Sequence, residues 1–236
     1  MMNSKFALAT VSLSLFASLA TALSYCSTFN IPQWECDVCG SQIASSGRIQ
    51  CSPFNATFDD LPPNQPVGIY KSADWHNFET VNVDSTTPSI PHVHPYSLPN
   101  FARLASGKKG IVTFGYTNGT EPGGPWQYPL GNLYSFHCAC ALHASQLVPA
   151  PCNIHVTAKC VPTGSVINGP EKDFDYDVSY TPSEAVYGTL AFHQGDPARD
   201  AGYICSNYTL TAKSAVGVEV DLLVDDVLYR TWRQGF

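Results

Sequence analysis

Two Asp-Asp pairs stand near opposite ends of the chain, Asp59-Asp60 between Phe58 and Leu61, and Asp225-Asp226 between Val224 and Val227. Each lies in an apolar run that reads as a strand, so alternation turns one carboxylate of each pair toward the interior. A charge there is costly unless something offsets it. If the first and last strands of a β-sandwich lie side by side, carboxylates from both can converge on one cation. Calcium takes roughly six to eight oxygens and suits such a set. It is the expected structural ion, held by Asp59 or Asp60 together with Asp225 or Asp226. The competing reading is that the inward carboxylates cap turns or accept backbone N–H bonds.

Other chemistry-bearing residues are more scattered. His92, His94, His137, His143, His155 and His193 have no motif that fixes three of them around zinc, although His137 and His155 read as cross-strand neighbours. No Gly-x-Ser-x-Gly elbow is present, so no serine nucleophile is assigned. Glu171, Asp173, Asp175 and Asp177 could supply paired carboxylates for sugar hydrolysis, but the even spacing of the last three is that of a wet strand face. No residue is assigned a catalytic role. Trp75, Tyr116, Trp126 and Tyr128 lie in or beside Gly- and Pro-rich turns, where exposed rings can stack on sugar faces. The bland alternative is that they pin loops to the core.

All nine cysteines follow residue 22. Cys138 and Cys140 share one strand face and Cys152 begins the next strand, which favours a Cys140–Cys152 bridge. Cys160–Cys205 is the next pairing, and Cys138 is left as the odd thiol. Cys26, Cys36, Cys39 and Cys51 form an N-terminal quartet with three possible connectivities. Sequons stand at Asn55, Asn118 and Asn207.

The elements that must position these groups are strands. Phe174, Tyr176, Val178 and Tyr180 alternate with Asp173, Asp175 and Asp177, a strict period of two. Further strands are read at residues 55–61, 78–83, 111–116, 133–142, 152–161, 185–193, 203–213 and 218–229. Residues 133–142 and 152–161 are expected to pair with each other. Seventeen Gly and 18 Pro punctuate the runs, and no long helix is read. The fold class is therefore all-β, an antiparallel β-sandwich or jelly roll with a short Cys-rich N-terminal segment.

Residues 1–22 read as a signal peptide: Lys5, an apolar stretch from Phe6 to Leu19, then the small-x-small Ala20-Thr21-Ala22. The domain expectation is a signal peptide over 1–22, a Cys-rich segment over 23–53 and the sandwich over 54–236. A secreted, glycosylated, disulfide-bonded protein with no membrane span or lipid anchor follows. Twelve basic against 19 acidic residues leave no basic patch, which excludes nucleic acid as a partner class.

Thr57-Phe58-Asp59-Asp60-Leu61, Gly68-Ile69-Tyr70, Asp74-Trp75-His76-Asn77-Phe78, Pro151-Cys152-Asn153-Ile154-His155-Val156-Thr157-Ala158 and Asp221-Leu222-Leu223-Val224-Asp225-Asp226-Val227-Leu228-Tyr229 together form a familiar order. Over about residues 54–232 the chain resembles small secreted fungal proteins with a jelly-roll domain, similar to carbohydrate-binding modules of galactose-binding-like fold. It departs from them at Lys71-Ser72-Ala73-Asp74, where an aliphatic residue or Gly is usual. The resemblance implies non-catalytic recognition of a cell-wall or host-surface glycan. Two alternatives stand beside it: a secreted effector-like protein-binding factor, and a polysaccharide-active hydrolase or lyase.

Overall fold

The computed structural model describes residues 49–82, 92–114, 130–142, 148–162, 170–182 and 187–234. The chain divides into two compact units, one of residues 1–51 with 233–236 and one of residues 52–232. Apart from residues 49–51 and 233–234, everything described below belongs to the second. Cys26, Cys36 and Cys39 of the N-terminal quartet, Asn118, and the candidate ligand residues Tyr116, Trp126 and Tyr128 lie outside the described residues, while Cys51 falls in the first strand.

Among the described residues the protein is all-β. The strands are β1 (Ile49–Ala56), β2 (Pro66–Tyr70), β3 (Ala73–Asn82), β4 (His92–His94), β5 (Asn100–Leu104), β6 (Gly110–Phe114) and β7 (Leu130–Ala141). They continue with β8 (Cys152–Pro162), β9 (Lys172–Tyr180), β10 (Tyr187–Thr189), β11 (Ala191–Gln194), β12 (Tyr203–Ser214) and β13 (Asp221–Gln234). A single turn of helix, α1 (Pro197–Asp200), precedes β12. Among the described residues no helix is long and apolar enough to cross a membrane.

One large sheet runs in the order β11-β7-β13-β5-β3-β6-β12-β8-β9, with β1 added to β13 and β2 to β3. β12 also touches β7, at Cys205 opposite Gly131. That contact closes β7, β13, β5, β3, β6 and β12 into a barrel-like ring, from which β8-β9 and β11 extend. Gly131 sits at the closure because nothing larger fits: a Cβ there would meet the Phe114 ring at 2.5 Å and the Arg230 carbonyl at 2.7 Å. β3 makes the turn between the two halves. Its residues 73–76 pair with β6 and residues 78–82 with β5. Between them Asn77 takes a left-handed conformation (φ 68°), which Asn tolerates better than most residues.

The core is aromatic and interlocked. Phe58 and Phe78 meet the Trp75 ring edge-on at 5.0 and 5.7 Å, and Phe114 packs on Tyr229 at 5.3 Å. In β9 the expected alternation holds, with Val178 and Tyr180 buried and Asp173, Asp175 and Asp177 exposed. Both disulfides read from the sequence are present, Cys140–Cys152 and Cys160–Cys205, and Cys138 is a buried free thiol.

Two expectations are corrected. β7 does not pair with β8; it lies between β11 and β13, and β8 lies between β12 and β9. All of β7 is buried, so its sequence carries no alternation to indicate a partner. The Asp59-Asp60 run is not a strand either. β1 ends at Ala56, and Phe58 turns the chain with a left-handed backbone (φ 62°), so alternation does not apply there.

A second buried carboxylate anchors α1. Asp196 caps the helix, its Oδ1 accepting from the Ala198 N–H at 3.0 Å, while the Tyr208 hydroxyl donates to Oδ2. Burial raises its pKa from 3.8 to about 6, although these hydrogen bonds and Arg199 pull it down.

Candidate ligand-binding surface

Cross-strand partners in a sheet share a face. Phe192 of β11 lies opposite His137 of β7, and His137 lies opposite Asp225 of β13. Phe136 and Cys138, one residue to either side of His137, belong to the core. The row Phe192–His137–Asp225 is therefore on the outer face of the sheet. Phe192 is 57% exposed, and its ring centre is 5.0 Å from that of His137.

Asp225 would be stranded there without the segment that covers it. Ser97 donates its backbone N–H to Asp225 Oδ2 at 2.8 Å, and its hydroxyl lies 3.2 and 3.3 Å from the two carboxylate oxygens. The Asp226 N–H donates to Oδ1 at 2.8 Å. Asp225 is fully buried. Burial lifts its pKa from 3.8 to about 7 against the pull of these hydrogen bonds, and the charge of Asp59 lifts it further. Anchoring Ser97 sets its neighbour Tyr96 flat on the imidazole of His137, with ring centres 3.6 Å apart and planes 12° from parallel. Tyr96 stays 63% exposed, so its outer face is free for a second stacking partner, and Leu98 is exposed beside it.

The next residue owes its place to an irregularity in β13. The pairing with β7 shifts between Asp225 and Leu228, and Asp226 takes a left-handed conformation (φ 48°). Such a bulge re-aims a side chain that regular alternation would send to the other face. Asp226 Oδ2 comes within 3.9 Å of His137 Nδ1, and Asn55 Nδ2 donates to Asp226 Oδ1 at 2.5 Å. His137 is 7% exposed and its Nδ1 has no hydrogen-bond partner. Burial pushes the His137 pKa down, and Asp226 offsets only part of that.

The carboxylates from which calcium was expected to draw, Asp59 or Asp60 with Asp225 or Asp226, are each engaged by protein groups. Asp59 Oδ1 accepts from the Asn100 N–H at 3.1 Å, and Asn100 also holds the 58–61 turn through the Leu61 carbonyl at 2.9 Å. Asp60 accepts from the Tyr70 hydroxyl at 2.5 Å and lies 4.0 Å from Lys71 Nζ. Of these, the charge of Asp59 acts on Asp225. Among the described residues no three His, Cys, Asp or Glu side chains gather as a metal site requires.

Trp75 is in the core, 2% exposed, its indole N–H directed at the Tyr70 carbonyl at 3.3 Å, and it offers no face to a ligand. His137 and His155 are not neighbours. His155 belongs to β8 and lies opposite Asp177 of β9, with Nδ1 2.9 Å from Asp177 and Nε2 3.5 Å from Asp175. His193 turns inward onto Phe136. Tyr96, His137 and Phe192 were not assigned to binding from the sequence. In the sequence no pattern marks them, and only the strand register unites His137 and Phe192 with the segment that carries Tyr96.

No known family matches this chain, and no curated protein matches it. Among solved structures it is similar to a DUF4465 family protein from Bacteroides caccae, at 11% identity and a TM-score of 0.41 over 75% of this chain and 98% of that one. It is also similar to an agarase, at 10% identity and a TM-score of 0.29 over 79% of this chain and 24% of the agarase. At these scores neither likeness bears on function.

Proposed function

We propose that this is a secreted, non-catalytic carbohydrate-binding protein of jelly-roll type, and that glycans bind on the Tyr96–His137–Phe192 surface. The observation that carries the reading is the exposed Tyr96 ring, stacked on a buried imidazole and flanked by an exposed Phe192 and the Asp226 carboxylate. A rigid aromatic face costs little entropy to present, and a carboxylate with a neighbouring amide orients hydroxyls. Asp225 is buried and its oxygens are committed to Ser97 and Asp226, so it cannot reach a substrate.

The test is retention of the purified protein on insoluble chitin, chitosan, β-glucan, cellulose and xylan, with calcium and with chelator. Tyr96→Ala and Phe192→Ala should abolish retention while leaving the melting temperature within a degree or two (about 1 kcal/mol or less for exposed sites). A melting temperature that rises with calcium would support an ion on the Asp59–Asp225 pair, and indifference to calcium removes that ion. Exposed Leu98, Tyr96 and Phe192 also make an apolar patch, which favours a protein partner as the second reading. Failure on every polymer would transfer the surface to that reading.

A further inference from the structure

The carboxylate of Asp226 is held in an unusual balance. Its Oδ1 is occupied by the Asn55 amide, while Oδ2 faces His137 Nδ1 across 3.9 Å, beyond hydrogen-bond reach. That nitrogen is buried and without a hydrogen-bond partner. The imidazole is held toward its neutral form by burial, so it brings no compensating charge. Among the described residues no Lys or Arg is paired with Asp226, whose side chain remains 23% exposed. The rim of the aromatic platform thus carries a carboxylate with no cationic partner among the described residues.

A neutral sugar needs the aromatic faces and some hydrogen-bonding groups, but it gains nothing from this imbalance. An ammonium group gains a charge-assisted hydrogen bond to Oδ2. We propose that the surface selects glycans bearing free amines, glucosamine rather than N-acetylglucosamine units, with the ammonium on Asp226 Oδ2 and the pyranose on the outer face of Tyr96. The inference rests on the carbohydrate reading above. The formal net charge of −7 works in the same direction, drawing a polycation toward the protein.

The experiment is calorimetric titration of the full-length secreted protein with a soluble glucosamine oligomer and with its fully N-acetylated counterpart, at about pH 5.5, where the amines are charged. The expected result is about tenfold tighter binding of the glucosamine oligomer, as one charge-assisted contact confers, with the advantage shrinking as salt is added. Asp226→Asn should erase that preference, so that the two oligomers bind the variant equally. The substitution is mild for the fold, because Asn accepts the left-handed backbone at this position and keeps an oxygen for Asn55. The salt dependence in the unmodified protein gives a second readout that needs no variant. Equal binding of the two oligomers, preference for the acetylated one, or a preference that survives Asp226→Asn overturns the inference. Retention on neutral polymers alone would overturn it while leaving carbohydrate recognition standing, whereas absence of binding to any glycan overturns both.

Discussion

Neutralising Asp225 should change the slope of stability against pH more than its height. In the folded protein this carboxylate titrates at about 7, against 3.8 when free in water, chiefly because it is buried. The folded state therefore holds the proton more tightly than the unfolded state. Stability from this source is fully present below about pH 4 and is lost as pH rises through 7. Three pH units at about 1.4 kcal/mol each set a ceiling on the order of 4 kcal/mol. Asp225→Asn cannot titrate, but it turns an amide donor toward one of the N–H groups of Ser97 or Asp226. That mismatch costs about 1–3 kcal/mol at every pH. Urea unfolding of both proteins at intervals from about pH 4 to pH 8 separates the two effects. The difference in unfolding free energy should move steadily in favour of the variant as pH rises. Asp196, which titrates at about 6, tilts both curves alike and cancels in the difference. Parallel curves would refute the reasoning, and would mean that the charge of Asp225 is accommodated by Ser97 without cost.

Trp75→Ala should destabilise the protein by about 3–5 kcal/mol in chemical denaturation, because a core indole in contact with Phe58, Phe78 and Tyr229 leaves a cavity behind. Opening Cys160–Cys205 by paired Ser substitutions should cost about 4 kcal/mol and opening Cys140–Cys152 about 3 kcal/mol in the chain-entropy account; the loops closed are 45 and 12 residues long. Equal losses would show that strain or packing outweighs loop length. Cys138, buried and with its thiol pushed up to about 12, should resist alkylating reagents in the native protein and react stoichiometrically once unfolded, as mass spectrometry would record.

The sequence carried the local facts and missed most of the pairing. In β9 one face meets water, so its alternation is written in the residue order. Cys140 and Cys152 are 12 residues apart, and a bridge over so short a span was legible without knowing the sheet order. β7 is buried on both faces, which erases periodicity, and its partners β11 and β13 lie some 50 to 90 residues downstream. Phe58 and Leu61 disguised a turn as a strand because apolar residues can bury from either. The proposed ligand surface was hidden for a related reason. Tyr96 sits in a proline-rich connection, Phe192 in a four-residue strand and Asp226 at a bulge, and no spacing rule links those three positions.

The place of β13 in the ring fixes when the fold can be completed. It lies between β7 and β5, aligned with both through Leu222, Leu223 and Val224. Until translation has passed these residues, β5 and β7 each present an unpaired edge of hydrogen-bonding groups. The ring cannot close residue by residue as the chain emerges, and it joins segments more than 100 positions apart. Closure is a single late event dominated by long-range pairing, the condition under which β proteins fold slowly. A nascent chain stalled shortly before Asp221 would hold two sticky half-sheets, exposed to aggregation until β13 arrives.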